Sequence, residues 1–264
     1  MTTQYNVIDA SLPNNMIALN SNSGQQLLNG TKEDVFKNEL MIKRFKPQVN
    51  RTFCGPASLA LLINGVNVAY RIKVSKLRCS YFEAKSLEKK LLGGEEILVD
   101  ENDVVHMKGF KKIDVKKNGV TLLELSNVAM KAGFGVVEYF ADDGSLTLSD
   151  EKKEEFTNTL ENGDTNVFQN VEEFRSFCKG ILERGLIQGL ICNYNMASLG
   201  YDDYGGHHSP LAAYSVKTDK MLVLDVWPDT QPAWVDTELL FKAMCTVDSA
   251  SGLPRGLLFI YELM

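Results

Sequence analysis

The chain has 264 residues, 44% hydrophobic and 23% charged, enough to bury a full core as one domain or as two lobes around a cleft. A net charge of -6 and a pI near 5.2 exclude broad electrostatic binding to nucleic acid or to an anionic membrane surface. No run approaches the roughly 20 apolar residues that span a bilayer. Residues 1–25 have neither a basic start nor an apolar stretch, so no secretory signal is read and a cytoplasmic location is expected. The cysteines, at 54, 79, 178, 192 and 245, are odd in number and form no CxxC pair, which points to free thiols in a reducing compartment.

Residues 1–30 are polar and turn-rich, with one short apolar run, Met16-Ile17-Ala18-Leu19. Thr31-Lys32-Glu33-Asp34 reads as a helix start, with Thr31 as N-cap and acidic residues at the positive end of the helix dipole, so a helix is expected over about 32–42. Residues 54–64 (CGPASLALLIN) are apolar enough for a buried helix; Pro56 fits because it falls in the first turn. Residues 68–118 are mixed and charged, with a short strand at 95–100. Residues 121–132 have helical spacing and stop at Gly133, and 135–140 then read as a strand. The acidic, glycine-punctuated stretch 142–166 reads as an exposed excursion, and 171–183 as a helix. Strand-length apolar runs follow at 186–194, 210–216, 221–226 and 257–263, with a hairpin turn at Lys217-Thr218-Asp219-Lys220. The expected class is α+β: one domain over 1–264, with a helical lobe at about 25–140 and an antiparallel-sheet lobe at about 185–264.

Three separated segments carry chemistry. Gln48 precedes Cys54, which opens the apolar helix; His207 stands on a turn entering a strand; Asp225 lies within the next strand, where it can face His207 across a hairpin. A thiol ordinarily titrates near 8.5, and only the thiolate attacks carbonyls well. A helix N-terminus lowers that value, and an imidazole on the thiol completes the activation and later protonates a leaving amine. A carboxylate on the other ring nitrogen fixes the tautomer. The Gln48 side-chain NH2 and the Cys54 backbone N–H would serve a developing oxyanion, one such donor being worth about 3 kcal/mol.

Each residue alone has a plainer reading. Cys54 reads as a small buried hydrophobe, and Gln48 means nothing by itself. The His207-His208 pair reads as a surface turn or part of a metal site, but no cysteine or carboxylate stands near it at ligand spacing, so no metal ligands are expected. Asp225 in an apolar run needs a buried partner. Together, the order Gln, Cys, His, Asp is what a papain-type cysteine acyltransferase requires.

At these residues the chain resembles the phytochelatin synthase family, papain-like γ-glutamylcysteine dipeptidyl transpeptidases, in its short prokaryotic form without the cysteine-rich C-terminal extension. Four blocks carry the resemblance: residues 17–28; residues 48–64; Ile191-Cys192-Asn193-Tyr194 with 206–214 and 222–226; and Ala243-Met244, Asp248, Ser251-Gly252 and Arg255-Gly256. With a weaker match over 120–140, it covers about two thirds of the chain. The resemblance implies Cys54 as nucleophile, His207 as base, Asp225 as its orienter and Gln48 in the oxyanion hole. It also implies that Asp248 and Arg255 hold the α-amino and α-carboxylate groups of a γ-glutamyl moiety, roles that suit one anion and one forked cation. The plainer reading of those two is a surface salt bridge across a turn.

Glutathione is the implied substrate, giving phytochelatin by transfer or γ-Glu-Cys by hydrolysis. No organic cofactor is implied; Cd2+ or Zn2+ would enter as glutathione thiolate complexes or as activators, since thiolates favour soft metals. Family members are often dimers, so a homodimer is compatible with the resemblance. The chain departs from the family after Asp225, where an arginine and a tyrosine usually precede a Pro-Pro pair. Here residues 226–234 (VWPDTQPAW) lack both and are one position shorter. His208 replaces a more usual aromatic or aliphatic residue, so a register with His208 as base stays open, with His207 preferred. Residues 70–105 and 142–170 read as enlarged insertions. CGPAS preceded by glutamine also resembles the bacteriocin-processing C39 peptidases, which gives a peptide-cleaving alternative. A thiol- or metal-sequestering module on the same scaffold is the non-enzymatic one.

Overall fold

Every residue from Gly55 to Gly65 is buried, so the segment behind Cys54 forms a helix covered on all sides rather than an amphipathic surface helix. The computed structural model describes residues 12–65, 98–107, 114–162, 165–184, 188–202 and 205–263. The insertion read over 70–105 therefore lies outside the described residues except at 98–105.

The chain opens with β1 (Ile17–Ala18), α1 (Asn22–Leu28), β2 (Val35–Lys37) and α2 (Glu39–Lys43), then the buried helix α3 (Cys54–Gly65). Short helices α4 (Glu101–Val105) and α5 (Val115–Asn118) lead to α6 (Leu122–Lys131) and β3 (Phe134–Ala141). Next come α7 (Asp150–Asn162), β4 (Thr165–Phe168), α8 (Val171–Arg184) and β5 (Gln188–Asn195). The last part is β6 (Gly206–Ser215), β7 (Lys220–Val223), β8 (Ala233–Asp236), α9 (Thr237–Met244) and β9 (Gly256–Glu262). Among the described residues, all strands join one nine-stranded sheet, ordered β1-β8-β7-β6-β5-β9-β3-β4, with β2 added onto β6. The pairings are antiparallel except for β3 and β4. The class is mixed α+β. Its sheet is not confined to the C-terminal third, since β1 to β4 come from before residue 185.

Alternation along β5 shows how the layers form. Leu190, Cys192 and Tyr194 join a core with Phe174, Ile181 and Leu240 of α8 and α9, whereas Ile191 joins the opposite core with Leu59, Leu62, Leu125 and Val128 of α3 and α6. A third cluster gathers Trp234, Leu222, Met41 and Leu61 beside the N-terminal elements.

Three local expectations are corrected. No helix runs over 32–42: the N–H groups of Asp34 and Val35 both return to the Thr31 carbonyl, making a turn. Val35, Phe36 and Lys37 then pair with Ser215, Tyr214 and Ala213. Burying Val35 against the sheet outweighs a weak local helix preference, and helix resumes only where the Asn38 side chain caps Met41. The excursion at 142–166 carries α7 and β4, a crossover that adds a parallel strand to β3. Phe156 and Leu160 fall on one face of α7 and pack on the core, with the Phe156 ring edge-on to Phe140 at 5.0 Å. Residues 98–100 are not a strand: Val99 exchanges backbone bonds with the Asn64 amide, and Asp100 caps α4.

Trp234 is fully buried in the third cluster and donates its indole N–H to the Gly24 carbonyl at 3.1 Å. Trp234→Ala is expected to cost about 3–5 kcal/mol of unfolding free energy, measured by urea denaturation.

Candidate active site

Cys54 is the first residue of α3. The first helical bond runs from the Ala57 N–H to the Phe53 carbonyl, and Pro56 has no N–H, so the Cys54 and Gly55 amides lie at the open helix end. The helix enters close to its neighbours: a Cβ on Gly55 would stand 2.3 Å from Val120 Cγ2. One turn on, Ser58 Oγ donates to the His208 carbonyl at 3.0 Å, fixing the helix start to β6.

β6 begins at Gly206, so His207 and His208 lie in the strand rather than on a turn before it. As neighbours on a strand they meet different cross-strand partners: His208 sits opposite Asn193 and His207 opposite Tyr194. Their rings nevertheless converge on Cys54. His208 Nδ1 is 3.8 Å from Sγ, and His207 hydrogen-bonds the same thiol. Asp225 lies just beyond β7, not inside it. A register shift between Leu211 and Ala213 puts a bulge in β6 opposite Leu222 and Val223. Pairing continues to the bond from the Leu224 N–H to the Pro210 carbonyl, and the next residue is Asp225, which meets His207. Asp225 Oδ1 accepts from His207 Nε2 and from the Trp227 N–H, both at 2.9 Å. The Tyr201 hydroxyl faces the same carboxylate. His207 and Asp225 are 1% and 3% exposed, so each charge is compensated by the other rather than by water.

The electrostatics follow. Burial pushes the Cys54 thiol up, but the hydrogen bonds and charge of His207 and His208 outweigh it and hold the thiol well below its ordinary value. Burial pushes His207 down, and Asp225 with Cys54 overrides it, raising the imidazole to about 10. Both shifts favour the thiolate–imidazolium pair over the neutral one.

A cleft of about 310 Å³ opens over Cys54, lined also by Lys117, His207, Trp227, Asp248 and Arg255. The loop between Val247 and Pro254, which bridge to each other, brings Asp248 to Arg255. Arg255 Nη1 donates to Asp248 Oδ1 and to Asn193 Oδ1, both at 3.2 Å. The pair is buried in the cleft wall, not laid across a surface turn; Arg255 is 3% exposed. Gly206 makes room for it, since a Cβ there would stand 2.2 Å from Arg255 Nη1. On the opposite rim, Arg51 stacks over the Trp227 ring at 5.4 Å and pairs with Asp229 at 2.9 Å, while Trp227 meets His207 edge-on at 6.0 Å.

Gln48 is buried and receives less than a free oxyanion donor would. Its Nε2 donates to the Asn50 carbonyl at 2.8 Å, and its Oε1 has no partner among the described residues. Its backbone N–H donates to the Val226 carbonyl at 2.7 Å, beside Asp225. The structure thus joins Cys54, His207 and Asp225 in one line, sets Asp248 and Arg255 in the same cleft, and holds Gln48 behind it with one amide hydrogen committed. Sequence reasoning missed Ser58, Asn193 and Glu101. Glu101, 6% exposed, accepts from the backbone N–H groups of Val49 and Asn50 and anchors the segment before Cys54. A polar residue inside an apolar strand run was the available signal for Asn193; none marked Glu101.

A thiol at a helix end, beside an imidazole backed by a buried carboxylate, is the constellation of a cysteine-dependent acyl-transfer enzyme. The family model for phytochelatin synthase matches residues 7–257, and the chain belongs to that family. It is similar to a glutathione gamma-glutamylcysteinyltransferase of Schizosaccharomyces pombe, 30% identical over 146 residues, which are 54% of this chain and 28% of the relative. A wheat (Triticum aestivum) glutathione gamma-glutamylcysteinyltransferase 1 is 25% identical over 240 residues, 89% of this chain and 37% of the relative. A Lotus japonicus glutathione gamma-glutamylcysteinyltransferase 3 is 40% identical over 75 residues, 28% of this chain and 15% of the relative. The chain spans well under half the length of these curated relatives.

Alkylation by iodoacetamide tests the ion pair. Cys54 is expected to react at full rate well below the ordinary thiol value near 8.5. His207→Ala should move that limb upward, because the imidazolium that favours the thiolate is gone.

Proposed function

We propose that this chain is a glutathione γ-glutamylcysteinyltransferase built as a single papain-like catalytic domain. The observation that carries the reading is one cleft holding both the Cys54–His207–Asp225 line and the Asp248–Arg255 pair. The first supplies acyl transfer; the second presents one anion and one forked cation to a zwitterion. The γ-glutamyl α-amino group pairs with Asp248 and its α-carboxylate with Arg255, which places the Cys–Gly carbonyl at Cys54.

Cys54 attacks that carbonyl as the thiolate. The oxyanion takes the Cys54 N–H and the second Nε2 hydrogen of Gln48, the first being bound to Asn50. His207, charged at neutral pH and held by Asp225, gives its proton to the glycine nitrogen, which leaves. A γ-Glu-Cys thioester remains and passes to a second glutathione or to water. Trp227 and Asp229, in the loop that departs from the family pattern, and Arg51, which contacts both, border the path of that second molecule. The chain's own residues supply the chemistry without an organic cofactor, and soft metals such as Cd2+ or Zn2+ arrive as glutathione thiolates. Free thiols at Cys54, Cys178, Cys192 and Cys245 support a reducing, cytoplasmic setting. A homodimer is proposed from the family's habit alone.

The direct test is mass spectrometry of products from glutathione, with and without Cd2+. Glycine with (γ-Glu-Cys)2-Gly is expected, and no glycine would overturn the reading. Cys54→Ser should retain the fold and fall below about a thousandth of wild-type turnover. Gln48→Ala should lower kcat by roughly a hundredfold. Arg255→Ala should cripple glutathione turnover; unchanged turnover would favour a peptidase of the C39 kind, which gives the Asp248–Arg255 pair no task.

A further inference from the structure

Cys54 contacts two imidazoles, and acyl transfer through the triad uses only one. The second, His208, is 2% exposed and its Nδ1 lies 3.8 Å from Sγ. Its tautomer can be read from its neighbours. Arg255 can only donate, so the Asn193 atom that faces Nη1 at 3.2 Å is the amide oxygen. The amide nitrogen of Asn193 then faces His208 Nδ1 at 3.4 Å and also the His207 carbonyl at 3.3 Å. Nδ1 thus lies between that N–H donor and the Cys54 sulfur, and it donates to the thiolate of the free enzyme. Once acylation removes the sulfur's charge, the Asn193 N–H favours a lone pair on Nδ1, with the ring proton on Nε2. In the acyl-enzyme His208 therefore presents a lone pair beside the reacting sulfur. The charged or titratable groups around it are Cys54 on α3, His207 on its own strand, and Arg255 with Asp248 beyond Asn193, with Arg51 and Lys117 also on the cleft lining.

The chemistry of transfer has a use for such a nitrogen. After glycine leaves with the His207 proton, His207 is neutral and can take one proton. Hydrolysis of the thioester needs no more, because water loses one proton on attack. An acceptor amine arrives as an ammonium, with an ordinary pKa of about 8, and must lose two protons to become an amide. On the transferase reading above, we propose that His208 is a second base, which takes the first proton from the acceptor's ammonium group and so favours transfer over hydrolysis. The freed nitrogen lone pair attacks the thioester carbonyl; the new C–N bond forms as C–S breaks and Sγ leaves as thiolate. The remaining surplus proton passes from that nitrogen to His207, restoring the imidazolium, and His208 returns its proton to solvent.

The test is the ratio of (γ-Glu-Cys)2-Gly to γ-Glu-Cys made from glutathione by wild type, His208→Phe and His208→Gln. That ratio depends on the fate of the acyl-enzyme and not on the rate of glycine release. At pH 7 it should fall at least about tenfold in both variants and recover as pH rises past the amine's own pKa. Hydroxylamine, an amine already neutral at pH 7, should trap the acyl-enzyme in the same proportion in wild type and variants. His208→Gln keeps a polar side chain if the phenylalanine variant does not fold. An unchanged ratio at pH 7 would overturn the proposal. So would equal losses with glutathione and hydroxylamine, which would mean that His208 shapes the acceptor's path rather than taking a proton. Wild type that releases glycine but makes only γ-Glu-Cys would overturn it while leaving the acyl-enzyme intact. No glycine from wild type would remove the transferase reading and this inference with it.

Discussion

The site depends on a helix end pinned to a strand. Ser58 Oγ holds the His208 carbonyl at 3.0 Å, one helical turn from the nucleophile. That bond sets the distance between the start of α3 and β6, and so the distance between Cys54 and both imidazoles. The helix can approach so closely because it carries small residues there: Gly55, Pro56, Ala57 and Ser58 are all buried. Behind them Leu59, Ala60, Leu62 and Ile63 pack into one core and Leu61 into another, so the helix cannot slide without opening both. The polar contact fixes the geometry, and the burial supplies the rigidity that makes the geometry worth having.

Charge is managed by the same economy. A buried carboxylate beside a buried imidazole is costly unless each satisfies the other. Asp225 accepts from His207 and from the Trp227 N–H, so its negative charge is used twice. The imidazolium it favours then favours the thiolate, against the burial that opposes it. Trp227 covers the pair edge-on and is itself covered by Arg51, which keeps water from the His207–Asp225 bond. The cleft's far wall repeats the pattern with Arg255, whose charge is shared between Asp248 and Asn193.

Much of this was legible in the sequence, and the divide follows from the range of the forces. Cys54 at the start of an apolar helix is a local signal, and so is Thr121 capping α6, where the capping box forms as the spacing requires. The order of Gln48, Cys54, His207 and Asp225 needed only chain order and residue chemistry. The segment at 32–42 was misread because β2 forms by pairing with residues 213–215, far along the chain. Phe156 and Leu160 were hidden within a polar stretch, since two apolar residues do not announce a packed helix face. Glu101 was beyond reach for the same reason: its partners, Val49 and Asn50, lie some fifty residues earlier. The residues read as base and orienter lie together, but on a strand and the stretch after one rather than on a turn and within a strand.

The parts of the site differ in how they are held. Cys54 and the two histidines sit on α3 and β6, whose backbone groups are paired and buried within the sheet and its cores. Asp248 belongs to a loop tied by the Val247–Pro254 bridge and by bonds from the Asp248 N–H to the Leu253 carbonyl and from the Arg255 N–H to the Thr246 carbonyl. The Trp227 rim, by contrast, rests on contacts of the exposed Arg51 and Asp229. Segments with few buried contacts open at lower free energy than core strands. Warming will therefore loosen the grip on substrate before it disturbs the reacting atoms. KM should climb over a range of temperature in which kcat still rises, with turnover itself failing only when β6 melts with the rest of the fold.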